Sequence, residues 1–241
     1  MSRLFDAYIA VDWSAAAKPV TGANSIWIGI LARDARLRFQ YRGVNMETRL
    51  KARAFLQDMV EKLTGRGDKV LLGFDFSFGF PAGTAEALGL DTARQPAWAA
   101  MHSHLAGKVR EREDNSNARF ALAAGFNYRI SKGPFPFWGA PARDQVSTLP
   151  GKRPDFGPKA PLPEFREVER HMRASRTGAP KSVWQLAYTG SVGSQTLLGI
   201  PHVHALRSSL PNARIWPFET GLAALDEAAL GDTQVLMAEI Y

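Results

Sequence analysis

Two aspartates could carry metal chemistry, because each of them ends a buried, strand-like run. Asp12 follows the apolar run AYIAV, and Asp75 follows KVLLGF. Two carboxylates at neighbouring strand ends repel each other, and each raises the pKa of the other. Mg²⁺ and Mn²⁺ prefer oxygen ligands and would remove that conflict. The pattern therefore predicts a Mg²⁺ or Mn²⁺ site at Asp12 and Asp75; the alternative is that each aspartate caps a helix or forms a turn.

Two glutamates are candidates for a further metal ligand. Glu239 lies on the last apolar strand-like run, VLMAEIY, and is the first choice. Glu219 ends the strand-like run ARIWPF and is the second choice. With Asp12 and Asp75, Glu239 would complete an acidic cluster around an ion that orients a phosphate and helps to form a hydroxide nucleophile.

Four further residues could bind the phosphate groups of a substrate. Ser14 and Lys18 lie in the loop after Asp12, and Ser77 takes the equivalent place after Asp75. Ser191 belongs to the segment GSVGS, whose backbone N–H groups could face an anion at a helix start. This segment matches neither a Walker loop nor a dinucleotide fingerprint. The alternative for the serines is that they only cap turns or helices.

The elements that must position these residues alternate between strands and helices. Ser25–Leu31 is apolar and β-rich, and the next run alternates apolar and polar residues through Phe39 and Tyr41. With the strand before Asp12, these runs predict an antiparallel meander. A helix follows over 47–64, with Asn45 as its candidate N-cap, and then the strand that leads to Asp75.

The middle of the chain is less regular. We expect an insertion around 82–181, with one helix over 96–112 and another over 164–173. Within it, the stretch 133–163 is rich in Pro and Gly and contains aromatic residues, which is typical of a lid or a functional loop. Its Arg143, Lys152 and Arg153 could hold substrate. Beyond it we expect either two helices or one kinked helix around Pro201, then a strand, a short helix over 220–230 and a final strand.

The composition restricts the class of protein. The 241 residues contain no cysteine, which excludes thiol catalysis and zinc–thiolate sites, and a reducing cytoplasm is the simplest location. We expect no membrane-spanning helix and no signal peptide. The net charge of +7 favours nucleic acids or nucleotides as partners, although it could serve solubility alone. Because the sequence stops within an apolar strand-like run, we expect the full-length protein to continue.

Several of these segments together resemble an uncharacterised bacterial family with a ribonuclease H-like fold. The resemblance covers nearly the whole chain, and in that family the last motif continues with a proline. It implies one ribonuclease H-like domain over 1–241, with a mixed sheet, helices on both faces and the insertion. It also implies that the acidic cluster is Asp12, Asp75 and Glu239. The segments are AVDWS (10–14), GFDFSFGFP (73–81), KSVWQL (181–186), GSVGS (190–194) and AEIY (238–241).

The resemblance implies no known activity, although some relatives are labelled as molybdenum-cofactor or cobalamin synthesis proteins. Our leading hypothesis is a Mg²⁺- or Mn²⁺-dependent phosphodiester hydrolase, similar to a nuclease, that acts on nucleic acid. The first alternative is a nucleotide-binding phosphotransferase of the actin and hexokinase group, which the DWS and GSVGS segments favour. The second is a non-catalytic binding protein. Fold similarity does not decide among them.

Overall fold

The computed structural model describes residues 3–240, which form an α/β structure around one six-stranded mixed sheet. The strands lie in the order β3-β2-β1-β4-β6-β5. Tyr241, the last residue of the expected final strand, lies outside the described residues. The strands are β1 (Ala7–Asp12), β2 (Ile26–Arg33), β3 (Phe39–Met46), β4 (Val70–Phe74), β5 (Ala213–Trp216) and β6 (Val235–Glu239).

The predicted antiparallel meander is confirmed. β1 pairs antiparallel with β2, and β2 pairs antiparallel with β3. The turn between β2 and β3 is closed by Asp34, whose carboxylate accepts hydrogen bonds from the backbone N–H groups of Arg36 and Arg38 over 2.8 and 2.9 Å. This turn chemistry is the usual role of an aspartate in a tight loop.

The other half of the sheet is parallel. β4 runs parallel to β1 on one side and to β6 on the other, and β5 pairs parallel with β6 at the edge. The carboxyl ends of β1, β4 and β6 therefore lie at the same edge of the sheet. Parallel neighbours require long crossover connections, which here are supplied by helices and by the long middle stretch of the chain.

Seven helices and one short 3-10 helix occur within residues 3–240. α4 was not predicted. α6 is one helix with Pro201 inside it, so of the two alternatives the one with two separate helices is wrong. The short helix expected over 220–230 is restricted to its last four residues. The helices are α1 (Arg49–Gly65), α2 (Thr84–Ala87), α3 (Ala97–Lys108), α4 (Arg119–Ser131), α5 (Glu167–Ala174), α6 (Gly193–Ser209) and α7 (Glu227–Leu230), and the 3-10 helix is Ala142–Asp144.

The prediction that Asn45 caps α1 is wrong. Asn45 lies inside β3, and its amide donates to Ser25 Oγ and to the Ile26 carbonyl over 2.6 and 2.8 Å. The cap is Thr48, whose hydroxyl accepts from the backbone N–H of Lys51. The strand pairing with β2 uses Asn45, so the helix can begin only after the strand has ended.

The two faces of the sheet differ in what covers them. One face, here called the buried face, carries Ile9 and Val11 of β1, which are almost fully buried. α1 lies on this face, because Arg42, in register with Ile30, places its guanidinium over the ring of Phe55 of α1. The opposite face, here called the open face, carries the remaining positions of β1. The open-face residues of β1 are Tyr8, Ala10 and Asp12.

The open face is covered at one end only. Leu230 of α7 and Phe5 pack on Leu236 of β6, with Tyr8 and Leu71 partly buried against them. Towards β2 and β3 the same face is exposed, because Trp27 and Leu31 are 44% and 37% accessible. The expectation of helices on both faces therefore does not hold over β2 and β3.

The chain divides into two compact units. The first comprises the described residues up to Phe76, Glu111–Ser116 and the described residues from His202 onward, and it contains the whole sheet. The second comprises Ser77–Arg110 and Asn117–Pro201, which includes most of the expected insertion.

The second unit has a core of its own. Phe137 and Trp184 are almost fully buried, and their rings meet edge to face at 4.9 Å. Asn127 of α4 fixes the Pro- and Gly-rich stretch, since its side chain donates to the carbonyls of Phe137 and Thr148 and accepts from the Phe137 N–H. The aromatic residues of this stretch thus pack into a core. None of the helices in residues 3–240 is long and apolar enough to cross a lipid bilayer.

Candidate functional site

The structure brings Asp12 and Asp75 together at the carboxyl edge of the sheet. Their strands are direct parallel neighbours, with Val11 in register with Phe74 as the last pair. The backbone N–H of Asp75 donates to the Val11 carbonyl over 3.2 Å, which extends the pairing by one residue. The two carboxyl groups lie close enough for the charge and proximity of Asp12 to raise the pKa of Asp75. The carboxylates of these two distant motifs therefore lie together, as the sequence predicts for Asp12 and Asp75.

Asp75 is held and perturbed by its surroundings. The backbone N–H of Trp13 donates to Asp75 Oδ1 over 2.8 Å. Burial raises the pKa of Asp75 from 3.8 to about 6, against the Trp13 hydrogen bond, and the charge of Asp12 adds to the increase. The site therefore has a carboxylate pair whose full ionisation near neutral pH is opposed by burial and by mutual repulsion, which a bound cation would relieve.

A groove of about 670 Å³ runs along the open face and ends at this carboxylate pair. Its floor is formed by small residues, namely Ala10, Gly29 and Gly73 of three neighbouring strands. The space over Gly73 is taken by Ile240, because a Cβ at position 73 would lie 2.7 Å from Ile240 Cδ1. The larger side chains that line the groove include Tyr8, Trp27, Leu31, Tyr41 and Leu71.

Glu239 lies on the other face of the sheet, which corrects the predicted cluster. It is in register with Phe74, a residue of the buried face, and residues in register on neighbouring strands point to the same side. Asp75 is the next residue after Phe74 and points to the open face. Glu239 is thus near the pair along the sheet edge but on the opposite side of it.

Glu219 is also excluded as a free metal ligand, because an arginine already neutralises it. Its two carboxylate oxygens accept from Nε and Nη2 of Arg207 over 2.9 and 2.8 Å, and the backbone N–H of Ile215 donates to it as well. Burial opposes the ionisation of Glu219, but these bonds hold its pKa below the ordinary value. Glu219 therefore stabilises the end of β5.

The residues of the loop after β1 have structural partners of their own. Ser14 Oγ donates to the Asn24 carbonyl over 2.7 Å and accepts from the Ala16 N–H, so the serine closes a turn. Lys18 is exposed, and its carbonyl accepts a hydrogen bond from the Asn115 side chain. Of the two predicted phosphate contacts in this loop, the Ser14 hydroxyl is engaged in these two bonds, whereas the Lys18 side chain is exposed.

Ser77 and Ser191 belong to the second unit. Ser77 is fully buried and already has an interaction within the protein. Ser191 is half-buried in the turn before α6, where its backbone N–H donates to the Tyr188 carbonyl. The Asp-x-Ser repeat predicts equivalent roles for Ser14 and Ser77, but their burial differs, because Ser77 is fully buried and Ser14 is half-buried.

A buried ion-pair network next to the site was missed by the sequence reasoning. Arg49, the first residue of α1, is fully buried and pairs with Glu111. Its Nη1 group also donates to the carbonyls of Ser14 and Ala16 over 2.8 Å each, which fixes the loop that follows Asp12. His202 Nε2 lies 2.8 Å from the second oxygen of Glu111. Glu111 lies between Arg110 and Arg112 in a basic part of the sequence. Its role as the buried partner of Arg49 is therefore visible only from the long-range contacts of the folded chain.

The charges of the Glu111 and His202 side chains follow from the directions of their pKa shifts. Burial and the two partners act in opposite directions on Glu111, and the hydrogen bond with His202 and the charge of Arg49 keep its pKa low. Burial lowers the pKa of His202, so this imidazole is neutral at pH 7 and donates from Nε2 to the carboxylate. The network is therefore one buried cation facing one buried anion.

Within residues 3–240, no three His, Asp or Glu side chains are grouped closely enough to hold a metal ion by themselves. The residues available for a cation at the groove are thus two carboxylates, Asp12 and Asp75. This number fits Mg²⁺, which commonly binds one or two carboxylates and completes its shell with waters and substrate phosphates. Comparisons with protein-family models, with curated proteins and with solved structures give no match for this chain.

Proposed function

We propose that this protein is a Mg²⁺- or Mn²⁺-dependent phosphodiester hydrolase that acts on nucleic acid, built on a ribonuclease H-like core. The observation that carries the proposal is the contact between Asp12 and Asp75 at the end of two parallel strands. An antiparallel meander, a helix on one face and a parallel strand beside β1 support the proposed core.

Asp12 and Asp75 would hold the cation. When bound, the ion would supply charge that stabilises the phosphoryl oxygens and would lower the pKa of a coordinated water. The protein contributes the orientation of the carboxylates: the Trp13 N–H fixes one oxygen of Asp75, and the Arg49 network fixes the loop after Asp12. The apolar groove lowers the effective dielectric around the pair, which strengthens its attraction for a cation.

The test is metal-dependent cleavage of end-labelled oligonucleotides by the wild-type chain and by Asp12→Asn and Asp75→Asn. Each substitution keeps the side-chain shape and removes one negative ligand. We expect each to reduce cleavage by at least about a hundredfold, since the ion is held by two carboxylates only. Asp232→Asn is the matched control, because Asp232 is exposed and pairs only with Arg214 at the surface. Cleavage by Asp12→Asn at the wild-type rate would refute the proposal.

A further inference from the structure

The open face carries aromatic side chains whose surfaces are accessible and fixed in place. Trp27 is in register with Asp12 on the neighbouring strand, so the Cβ atoms of the two residues are about 5 Å apart. Its indole N–H donates to the Gly22 carbonyl over 3.1 Å, and 44% of the residue is accessible. An anchored ring with an accessible surface thus lies directly beside the carboxylate pair.

Tyr41 extends this surface across the next strand. Its ring lies against two glycines, because Cβ atoms at Gly29 and Gly43 would each be 3.4 Å from the Tyr41 hydroxyl. Since glycine has no side chain, the ring can lie low on the sheet while 74% of the residue remains accessible. The paired glycines at one register position of β2 and β3 explain why the ring lies there.

Two guanidinium groups lie at the far end of the same face, and that of Arg33 is paired with the Asp6 carboxylate over 3.3 Å, so that the group as a whole keeps one excess positive charge. Phe39 is in register with Arg33, and the guanidinium groups of Arg33 and Arg3 lie 5.4 and 4.6 Å from the centre of its ring. From Trp27 to Arg33, the six residue steps of β2 span about 20 Å. Stacked bases of a nucleic acid strand are about 3.4 Å apart, so this track accommodates several of them.

From these observations we infer that the open face binds single-stranded nucleic acid, with bases stacked on Trp27 and Tyr41 and the backbone drawn towards Arg3 and Arg33. The inference rests on the proposed function, because a cation at Asp12 and Asp75 is what would let a phosphate approach that end of the groove. Accessible aromatic rings beside basic groups are the usual means of binding unpaired strands without reading their sequence.

The chemistry of the face favours an unpaired strand over a duplex. The bases of a duplex are stacked on each other, so their flat surfaces cannot reach Trp27 or Tyr41. A small organic cation is the other ligand that an apolar groove with two carboxylates could take. It would not use the excess positive charge at the Arg3 end of the face, and the experiment therefore includes it as a separate arm.

The experiment measures binding in the full chain carrying Asp12→Asn and Asp75→Asn, without divalent metal, so that cleavage and carboxylate repulsion are both removed. A fluorescent 12-nucleotide single strand and the matched duplex are titrated at low and moderate salt. We expect the single strand to bind at least about tenfold more tightly than the duplex. Adding Trp27→Leu or Tyr41→Leu should weaken single-strand binding by about 5- to 150-fold, the range measured for loss of one stacked base.

Conservative and remote variants separate stacking from folding. Trp27→Phe and Tyr41→Phe keep a ring and should retain most of the affinity, whereas the quenching of tryptophan fluorescence on binding should fall in Trp27→Phe. Tyr128→Leu, which changes an exposed tyrosine of the second unit, should bind as its parent does. Circular dichroism establishes that each variant is folded.

The outcomes distinguish this inference from the proposed function. Equal affinity for single strand and duplex, or no loss in Trp27→Leu and Tyr41→Leu, overturns the inference even if the wild-type chain cleaves nucleic acid. Selective single-strand binding without any metal-dependent cleavage supports the inference and refutes the proposed hydrolase. Binding of tryptamine to the wild-type chain that is lost in the double Asn variant, with no binding of single strands, assigns the groove to organic cations and overturns the inference.

Discussion

The backbone N–H of Trp13 donates to Asp75 Oδ1 over 2.8 Å, although the two residues are 62 positions apart in the sequence. This bond joins the loop after β1 to the end of β4 and leaves Asp75 beside Asp12. Trp13 itself is buried against Phe74 and Phe76, with ring centres 5.9 Å apart in each case. The carboxylate pair is thus held by the aromatic core directly beneath the sheet edge.

The raised pKa of Asp75 predicts a specific dependence of stability on pH. Between about pH 4 and pH 6 the folded chain keeps a proton on Asp75 that the unfolded chain has lost, so the free energy of unfolding falls as pH rises. The change from 3.8 to about 6 corresponds to roughly 3 kcal/mol at most. Asp75→Asn removes this cost, and Asn can still accept from the Trp13 N–H.

We therefore expect Asp75→Asn to be more stable than the wild type at pH 8 by about 1–3 kcal/mol, and this gain to vanish near pH 4. Urea unfolding at each pH measures it. His202, whose pKa is lowered by burial, contributes with the opposite sign, but it is common to both chains and cancels in the difference. A gain that is independent of pH would contradict the assignment.

The positions of the carboxylates on the two faces predict which of them affects metal binding. Asp12→Asn should weaken Mn²⁺ binding by roughly tenfold or more, because one of two charged oxygen ligands is lost. Glu239→Gln should leave the Mn²⁺ affinity unchanged, because Glu239 points to the buried face. Isothermal titration calorimetry in the absence of substrate measures both. A loss of affinity in Glu239→Gln equal to that in Asp12→Asn would show that the sheet edge gathers all three carboxylates.

Loss of the buried Arg49–Glu111 pair should lower the free energy of unfolding far more than loss of an exposed ion pair does. Glu111→Gln leaves the fully buried Arg49 charge without its carboxylate and should destabilise the protein by about 3 kcal/mol. Asp58→Asn breaks the exposed pair with Lys62 on α1 and should cost less than about 1 kcal/mol. Urea unfolding monitored by circular dichroism compares the two. Similarly small losses of stability in both variants would mean that solvent stabilises the Arg49 charge once its carboxylate partner is removed.

Substitution by alanine should have opposite effects on stability at two glycines of the second unit. A Cβ at Gly193, where α6 begins, would meet the Val183 carbonyl and lie 2.6 Å from the Gln185 carbonyl, and backbone atoms cannot move aside cheaply. Gly193→Ala should destabilise by about 2 kcal/mol or more. Gly125 lies exposed within α4 with no atom within 4 Å of its Cβ position, so Gly125→Ala should stabilise by about 0.5–1 kcal/mol.

Chemical unfolding followed by near- and far-ultraviolet circular dichroism measures both glycine variants. The two substitutions add the same methyl group, so differences in composition or in the unfolded chain are matched. If Gly193→Ala proved as stable as the wild type, the close approach of the Val183–Gln185 backbone to the start of α6 would be wrong.

Some of the architecture could be predicted because it depends on local patterns. The apolar runs that end in Asp12 and Asp75 predicted β1 and β4, since a buried strand needs only a short continuous apolar stretch. The alternation through Phe39 and Tyr41 predicted β3 for the same reason. α4 was missed because its apolar residues do not follow one regular helical face. Asn45 was wrongly predicted as a helix cap because the residue type alone does not show whether an asparagine lies in a strand or at the start of a helix.

The sequence by itself determined that two acidic groups end buried strands and that no thiol chemistry is available, because residue type and local periodicity suffice for both. Only the tertiary structure decided which carboxylates meet. The register that aligns Glu239 with Phe74 directs it to the other face, and Arg207 neutralises Glu219. The physical reason is that strand register and ion pairing depend on contacts between residues far apart in the chain, which no local pattern encodes.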